Sequence, residues 1–463
     1  MQYLGIEYQI RNLPALDRAF IPFGVWASAY EKGAERPFKI AVERENGLVT
    51  VYETKLRGPE FAEANYRYAE RCVKMLLWSV GGWRVYLCGD DAIAKRMQDE
   101  YRAGGKREFD VGFMQDVYER PFEIVLADEA GFPQAHEQTR KVGGHTNGCR
   151  IGFDAGGSDR KVSAVIDGEP VFSEEVVWFP KVTADPDYHY EGIVSALKTA
   201  ASHMPRVDAV GVSSAGIYIN NRTMSASLFL KVPKELYDAK VKDIYIRAIT
   251  DTFGPDIPYA VVNDGDVSAL AGTMSLGDNN VLGIAMGTSE AVGYVDGEGR
   301  ITCWLNELAF VPVDASPDAM RDEWSGDIGC GVKYFSQDSV IKLAPRAGIQ
   351  LDEALSPAEK LKVVQGLMAE DDPRAAQVYE SIGVYLAHSL AYYYDLYQFK
   401  HVLLLGRVMS GKGGDLLLDT CKKVLADEYP EVNQVIHLAL PDEKFRRVGQ
   451  SAAAASLPEI PKK

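Results

Sequence analysis

The chain has 463 residues, enough for two or three domains with well-formed cores. With 46% hydrophobic and 25% charged residues, its composition is that of a soluble globular protein. The formal net charge of -16 argues against a nucleic-acid-binding surface, which needs a clustered basic face. The first residues lack the blocks of a signal peptide, and no apolar run approaches the ~18 residues of a membrane helix. We therefore expect a cytoplasmic protein with no nucleic-acid or membrane partner.

The cysteines and histidines do not predict a metal site or a disulfide framework. The six cysteines are scattered and include no CxxC or CxC pair, at positions 72, 88, 149, 303, 330 and 421. This pattern is typical of reduced thiols rather than of disulfides or a zinc ribbon. The histidines are isolated and match no metal-ligand spacing.

Residues 1–149 are predicted to form a first α+β domain. Asn46-Gly47 separates two alternating runs and predicts a hairpin. A helix is expected over FAEANYRYAERCVKMLLWSV, and a strand followed by a helix over WRVYLCGDDAIAKRMQDEY. Gly131–Cys149 is rich in Gly, Gln, Thr and Asn, which indicates a linker. The role of this domain stays open between capping a cleft, dimerisation and binding a partner.

From Arg150 onward the pattern predicts an α/β arrangement, with helices dominating from about Asp318. The predicted strands read RIGFDAGG, KVSAVIDGEP, VFSEEVVWF, VDAVGVSSAG, IPYAVVND, VLGIAMGTSEAVGYVDGEGRIT (a strand–turn–strand) and KHVLLLG. The predicted helices read EGIVSALKTAASHM, KELYDAKVKDIYIRAITDTFG, VSALAGTMSL, DDPRAAQVYESIGVYLAHSLAYYYDLYQF and DLLLDTCKKVLADEY. Pro373 marks the first turn of the longest helix.

A glycine-rich polar turn interrupts the strand pattern IGFDAGGSDRKVSAVIDG. Glycines that only supply positive φ would explain a mobile loop. A phosphate cradle explains the polar groups as well. Gly156 and Gly157 would let the backbone approach, the amides and Ser158 would donate hydrogen bonds, Lys161 would add positive charge, and Asp154 would hold a hydrated magnesium ion.

A second stretch, LGIAMGTSEAVGYVDGEGRIT, repeats this arrangement about 130 residues later. Both stretches place a glycine-rich turn inside a hairpin and follow it with an Asp-Gly turn. The second turn contains Gly287, Thr288 and Ser289. The pair predicts two lobes of similar topology that face a cleft, with a phosphate-binding turn on each.

The stretch VVNDGDVSAL places carboxylates directly after a buried strand. Asp264 or Asp266 could be the N-cap of a helix. A carboxylate at the carboxyl end of a strand could instead accept the proton of a substrate hydroxyl. Its place between two phosphate-type turns favours the second interpretation, with Asp264 as the base.

The stretch GRVMSGKG nearly matches a P-loop. The final Ser or Thr of that motif is replaced by Gly413, so a magnesium ligand is missing. We predict a nucleotide contact at Gly406 and Gly411, at the adenosine, rather than a P-loop. No G-x-G-x-x-G follows a strand, which disfavours a dinucleotide oxidoreductase.

With these motifs in order, residues 150 to about 457 resemble the ROK family of sugar kinases and repressors. Four segments carry the resemblance: DAGGSDRK, VNDGDVSALAG, IAMGTSEAVGYVDGEG and LLLGRVMSGKGG. The resemblance implies an α/β chain with the two-lobed actin-like ATPase (ribonuclease H-like) fold of the ASKHA superfamily. The lobes would be 150–275 and 276–463, with the C-terminal helix packing back on the first lobe, and 1–149 would be an additional N-terminal α+β domain.

The resemblance also implies roles for individual residues. Asp264 would be the catalytic base, Asn263 and Glu307 would bind the sugar, and Asp154 would serve Mg²⁺ through water. ATP would be bound by Gly156, Gly157, Ser158, Lys161, Gly287, Thr288, Ser289, Gly406 and Gly411. The family's zinc- and sugar-binding histidine is replaced by Phe310, and of its cysteine cluster only Cys330 remains. One thiol cannot make a four-coordinate site, so we expect no structural zinc.

The expected function is an ATP- and Mg²⁺-dependent kinase that acts on a hydroxyl of a sugar, polyol or related small molecule. The alternative is a non-catalytic sugar sensor or scaffold with the same fold, motivated by the missing zinc site and the N-terminal domain. No helix-turn-helix supports a repressor, and the lack of closely spaced cysteines disfavours an iron–sulfur activator ATPase. The acceptor, and whether the chain forms a homodimer, stay open.

Overall fold

The structure is a computed structural model that describes residues 1–137, 142–441 and 449–461. Its strands are β1 (Gln2–Tyr3), β2 (Ile6–Glu7), β3 (Arg36–Glu43), β4 (Val49–Leu56), β5 (Arg84–Cys88), β6 (Glu123–Leu126), β7 (Cys149–Ala155), β8 (Asp159–Ile166), β9 (Glu169–Val177), β10 (Ala209–Ser214), β11 (Ile217–Ile219), β12 (Arg222–Ser225), β13 (Tyr259–Asn263), β14 (Val281–Met286), β15 (Glu290–Val295), β16 (His401–Leu405) and β17 (His437–Ala439). Its helices are α1 (Phe23–Glu31), α2 (Ala62–Ser79), α3 (Asp91–Glu100), α4 (Glu108–Tyr118), α5 (Pro186–Ala201), α6 (Lys234–Leu236), α7 (Ile244–Phe253), α8 (Asp264–Leu276), α9 (Gln337–Leu343), α10 (Pro357–Ala369), α11 (Pro373–Tyr397), α12 (Lys412–Glu428), α13 (Pro430–Val435) and α14 (Gln450–Ala455).

Two predicted elements differ from the structure. The helix expected over KELYDAKVKDIYIRAITDTFG is divided into α6, a π-helical turn at Tyr237–Val241 and α7. The Lys242 carbonyl accepts the Thr223 N–H at 2.8 Å. At the break, this backbone acceptor is therefore hydrogen-bonded to β12. Helices dominate the chain after about Asp318 as expected, but the first of them begins at Gln337, and 318–336 contains only a short 3₁₀ helix.

The chain forms two compact units. One comprises Met1–Gln138, Ile284–Val292 and Trp304–Leu440, and the other comprises Thr139–Gly283, Gly293–Cys303 and Pro441–Lys463. The division predicted from the sequence, at 149 and 275, stays a prediction. Part of the predicted linker, at 138–141, lies outside the described residues.

The first unit contains the N-terminal sheet, with strand order β4-β3-β5-β6. The predicted hairpin is confirmed: β3 and β4 are antiparallel, and Asn46 and Gly47 between them have φ of 57° and 71°. Helix α2 is buried along almost its whole length. Helices α11 and α12 pack together at Gly383, where a Cβ would lie 2.6 Å from the Leu417 carbonyl oxygen. Only glycine allows the two backbones to come so close.

The second unit is built on a sheet of order β13-β10-β7-β8-β9. The strands β13, β10 and β7 are parallel, whereas β8 and β9 continue the sheet in antiparallel order. Helices α5 and α7 cover the sheet and contribute to its hydrophobic core. The C-terminal α14 packs against β7 and β10. A Cβ at Gly152 or Gly211 would overlap the backbone of α14, so these glycines admit the helix.

Within the described ranges, no helix combines the length and the apolar character needed to cross a membrane. The six cysteines lie in those ranges as free thiols, five of them buried.

Candidate active site

Three adjacent parallel strands end at one edge of the second unit's sheet. The register pairs Asp154 on β7 with Ser213 on β10, and Ser214 with Asn263 on β13. Asp264 follows at the first residue of α8. Ligands of open α/β sheets bind at this edge, beyond the carboxyl ends of the strands. The fold therefore brings the predicted metal ligand Asp154 and the predicted base Asp264 to the same edge.

Asp154 is a buried carboxylate, and few polar contacts offset the cost of its burial. Its side chain is 8% exposed, and one oxygen accepts the Ser213 hydroxyl at 2.9 Å. Burial raises the pKa of Asp154 to about 7; Ser213 opposes the shift, the Asp264 carboxylate adds to it and Lys161 opposes it. Two carboxylates thus share one weakly polar region, an arrangement that a cation would stabilise.

Neither Asp264 nor Asp266 caps α8, so the capping interpretation is wrong. Asn263 is the N-cap: its Oδ1 accepts the Gly265 N–H at 2.7 Å and its Nδ2 donates to the Gly216 carbonyl at 2.7 Å. Asp266 accepts the Tyr294 N–H at 3.0 Å. The cap therefore fixes the backbone at Asp264 without using the Asp264 carboxylate.

The environment of Asp264 suits a base. Burial raises the pKa of its carboxyl group, the Gly265 amide and its own amide oppose the shift, and the Lys181 ammonium opposes it further. A carboxylate with a raised pKa accepts a proton more readily than an ordinary aspartate. The Gln450 side chain donates to the Asp264 carbonyl at 2.8 Å and ties α14 to this turn.

The first glycine-rich turn joins β7 to β8 and is fixed by Trp178. The indole N–H donates to the Gly156 carbonyl at 2.7 Å, and the Trp178 backbone N–H donates to the Ser158 carbonyl at 3.1 Å. Gly157 and Ser158 are exposed. The Lys161 ammonium lies 3.7 Å from each of two carboxylates, on Asp159 and Glu175. The turn is thus fixed through the backbone carbonyl groups of Gly156 and Ser158, which accept hydrogen bonds from Trp178.

Sequence reasoning missed Lys181. A Cβ at Gly157 would lie 2.6 Å from Lys181 Cε and 2.9 Å from its Nζ, so the ammonium lies directly beside the turn. The same ammonium partly opposes the rise that burial causes in the pKa of Asp264. The buried His189 fixes the Lys181 segment, with its Nε2 3.0 Å from the Pro180 carbonyl. Lys181 belongs to no motif, and only the tertiary fold places it here.

The second glycine-rich turn lies in the first unit, between β14 and β15. Its Gly287 N–H donates to the Ser289 carbonyl at 3.0 Å, and Gly287 accepts the Gln337 N–H at 2.9 Å. Thr288 and Ser289 are exposed. Gly406 has φ of 93°, and a Cβ there would overlap the Met286 backbone. The second turn and the predicted adenosine segment therefore meet at the end of β14, while Gly411 directly precedes α12.

The N-terminal region positions the predicted sugar ligand Glu307. The Glu307 N–H donates to the Trp78 carbonyl at 2.9 Å, at the end of α2. Phe310, which replaces the family's histidine, packs on Trp78 with 4.2 Å between ring centroids and also contacts Phe109. Phe310 is thus part of an aromatic cluster with Trp78 and Phe109.

The segment around Cys330 is also held by the N-terminal region. The Cys330 thiol lies 3.7 Å from an oxygen of Asp327, and Asp327 forms ion pairs with Arg71 and Lys74 of α2. Throughout the part of the chain that the structure describes, no three His, Cys, Asp or Glu side chains are grouped to hold a metal. The expectation of no structural zinc stays a prediction.

No protein-family model and no curated protein matches the chain in sequence. Among solved structures, the chain is similar to the ROK hexokinase from Thermus thermophilus, with 18% identity over 66% of this chain and 96% of that chain and a TM-score of 0.51. The chain has the ROK fold. It is also similar to a ROK family transcriptional regulator, a homolog of the E. coli MLC protein, with 17% identity over 66% of this chain and 77% of that chain and a TM-score of 0.50. The predicted α/β class and actin-like ATPase fold are therefore confirmed.

The predicted residues fall into two groups, one in each compact unit. Asp154, Asp264 and the first turn lie in the second unit. The second turn and Glu307 lie in the first unit, with Gly406 and Gly411. Their individual roles in binding and catalysis stay predictions.

Asp154 yields a test of the electrostatics at this edge of the sheet. Its folded pKa is about 7 against an ordinary value of 3.8, so the folded state favours the protonated acid, and stability falls as the pH rises from about 4 to about 7. We expect Asp154→Asn to raise the free energy of unfolding by roughly 2–4 kcal/mol at pH 8 without added metal, and the gain to vanish near pH 4. Thermal unfolding of Asp154→Asn and of the control Asp159→Asn across this range measures it. A less stable Asp154→Asn protein at pH 8 would contradict the assignment.

Proposed function

We propose that the protein is a kinase that transfers a phosphoryl group from ATP to a hydroxyl of a sugar, polyol or related small molecule. The observation that carries the proposal is Asp264, a carboxylate of raised pKa at the edge where the parallel strands end, beside Asp154 and Lys181. The ROK fold, which the chain shares with a hexokinase, supports it.

In this proposal Asp264 accepts the proton of the acceptor hydroxyl as the phosphoryl group is transferred. General-base assistance of this kind contributes about 10²–10⁴-fold to a rate. Asn263 holds the backbone of Asp264 through the cap, and its amide has one further hydrogen to offer a sugar hydroxyl. Glu307 is proposed to bind another hydroxyl of the acceptor.

The phosphates require positioning and charge neutralisation rather than covalent chemistry. The exposed turn at Gly156, Gly157 and Ser158 can offer backbone amides, and Lys161 and Lys181 can offer positive charge. The exposed Thr288 and Ser289 can offer hydroxyl groups from the second turn, beside Gly287, while Gly406 and Gly411 would contact the adenosine.

The residues present fit a magnesium ion. Asp154 and Asp264 form an acidic pair in which Asp264 raises the pKa of Asp154. Mg²⁺ in kinases is held by one or two carboxylates together with waters and phosphate oxygens, so a larger protein cage is unnecessary. Asp154 would hold the ion, directly or through water. When bound, the ion would supply positive charge to the phosphate oxygens.

A second function, a non-catalytic sugar sensor or scaffold, has a separate observation in its favour. Phe310 replaces a sugar-binding histidine and is locked in an aromatic cluster with Trp78. The likeness to a ROK transcriptional regulator is compatible with this alternative. In that case the acceptor site would bind a sugar without phosphoryl transfer.

Measurement of ADP formation from Mg·ATP against pooled sugars, amino sugars and polyols separates the two functions. Acceptor-dependent ADP would support the kinase, and division of the pool would identify the acceptor. Sugar binding by calorimetry together with acceptor-independent background ADP would instead support the sensor. If no pool bound to the protein and none gave ADP, both proposals would be contradicted.

A further inference from the structure

A buried carboxylate without a partner lies near the proposed sugar ligand. Glu290, the first residue of β15, is 3% exposed. Both of its carboxylate oxygens are shielded from solvent, and neither has a hydrogen-bond partner among the described residues. Such groups are rare, because an unpaired buried polar group costs about 1–3 kcal/mol. A carboxyl group in this position therefore requires an explanation.

The surroundings of Glu290 are rich in acceptors. A Cβ at Gly331 would overlap both Glu290 Oε2 and the Leu308 carbonyl oxygen, so both oxygens lie close to Gly331. Burial raises the pKa of Glu290, and the Glu307 carboxylate raises it further. Glu307 itself is half-buried and within reach of solvent.

A second polar group at the same place also lacks a partner. Tyr393 on α11 is 2% exposed, and its hydroxyl has no hydrogen-bond partner in the described part of the chain. After burial, the Glu290 carboxylate is the largest influence that raises the pKa of Tyr393. Glu290 and Tyr393 are thus two neighbouring buried groups whose polar atoms are unpaired.

We infer that Glu290 and Glu307, with the Tyr393 hydroxyl, form a subsite for a primary ammonium group, so that the preferred acceptor is an amino sugar or amino polyol. This inference rests on the proposed kinase function, because it describes the acceptor of that reaction. An ammonium supplies three hydrogen-bond donors and a positive charge to two carboxyl groups and a hydroxyl group. A sugar hydroxyl supplies one donor and no charge, and an N-acetyl group removes the charge and adds bulk.

Proton balance gives the subsite a distinctive signature. In the free protein, burial and the Glu307 carboxylate raise the pKa of Glu290 and so favour its protonated form, whereas an ammonium ligand favours its ionised form. Binding then releases the Glu290 proton to solvent while the ligand amine keeps its three protons. Glucose has no charge to drive this release.

The test measures binding by calorimetry without ATP, in two buffers of different ionisation enthalpy. Glucosamine, glucose and N-acetylglucosamine, with the corresponding mannose and galactose sets, are the probes. We expect the wild type to bind at least one amino sugar about tenfold or more tightly than its neutral counterpart, with release of up to one proton. Glu290→Gln should fold, since it removes a buried acid, and should lose both the preference and the proton release. Glu353→Gln, an exposed substitution of the same kind, should keep both.

The outcomes separate this inference from the kinase proposal. Equal or weaker binding of the amino sugars, no binding of any probe, or a preference that survives Glu290→Gln would overturn the subsite. ADP formation with neutral sugars alone would leave the kinase standing and the subsite refuted. A Glu290-dependent preference for the amino sugar without ADP formation would support the subsite and refute the kinase.

Discussion

The Asp264→Asn protein should fold normally and lose acceptor-dependent ADP formation by about 10²–10⁴-fold. Asparagine has nearly the same shape but cannot accept the hydroxyl proton. The cap of α8 is made by Asn263, so the substitution leaves the backbone hydrogen bonds of the first turn in place. The measurement is kcat and KM for ADP release with the acceptor identified by the pooled screen.

Asp266→Asn is the matched control for Asp264→Asn. Asp266 accepts the Tyr294 N–H, and the amide oxygen of asparagine can accept it equally. We expect this variant to keep kcat within a few-fold of the wild type, with thermal unfolding confirming that both variants are folded. Wild-type turnover by a folded Asp264→Asn protein would exclude the base mechanism.

The pH profile provides a separate readout. A base acts only when deprotonated, and burial raises the pKa of Asp264. Activity should therefore fall as the pH decreases through that raised pKa, at a higher pH than an ordinary aspartate would give. If Asp264 causes this fall in activity at low pH, the residual activity of the Asp264→Asn protein should no longer show it.

The positions of Asp154 and Asp264 were predictable from the sequence for a physical reason. Each follows a buried apolar run, and parallel strands present their carboxyl ends at one edge of a sheet. The fold was implied by the resemblance to the ROK family, which four segments in the same order carry. Such local patterns survive in the sequence because each is a property of a short segment.

Lys181 and Glu290 could not be assigned in the same way. Lys181 reaches the first turn only through the fold of a distant segment, which His189 holds in place. Glu290 directly follows Ser289 of the second turn and has no predicted role. A signal was present, since Glu290 shares the alternating buried face of β15 with Val292 and Tyr294, where a charged residue is out of place. The packing of α2 on the segment around Phe310 involves contacts hundreds of residues apart in sequence, which no local pattern specifies.

A buried ion network joins α2 and α4 to the loop around Asp327. Its six side chains are at most 6% exposed and comprise three cations and three carboxylates: Glu70, Arg71, Lys74, Arg107, Asp110 and Asp327. Asp327 is central, because its oxygens lie 3.0 Å from Arg71, 3.1 Å from Lys74 and 2.7 Å from Arg107. This network anchors the segment that contains Cys330, in which we expect no structural zinc.

Asp327→Asn should destabilise the protein by about 3–5 kcal/mol, because it leaves three buried cations opposite two carboxylates. Burial alone would raise the pKa of Asp327, but Arg71 and Lys74 lower it below its ordinary value. The contribution is therefore complete above the unfolded pKa of about 4 and is lost as the pH falls through the lower folded pKa. Denaturant unfolding at pH 7, followed by tryptophan fluorescence, measures the loss.

A double variant tests whether charge balance is the cause. Adding Lys74→Met to Asp327→Asn restores equal numbers of buried cations and carboxylates, two of each. We expect the double variant to be destabilised by less than the sum of the two single variants, with a coupling energy of about 1–3 kcal/mol. Asp318→Asn, at an exposed position of the same segment, should cost less than about 0.5 kcal/mol. If the two single costs simply added, the ion pairs would not be the source of stability, and the segment would have to be held by aromatic packing around Phe310 instead.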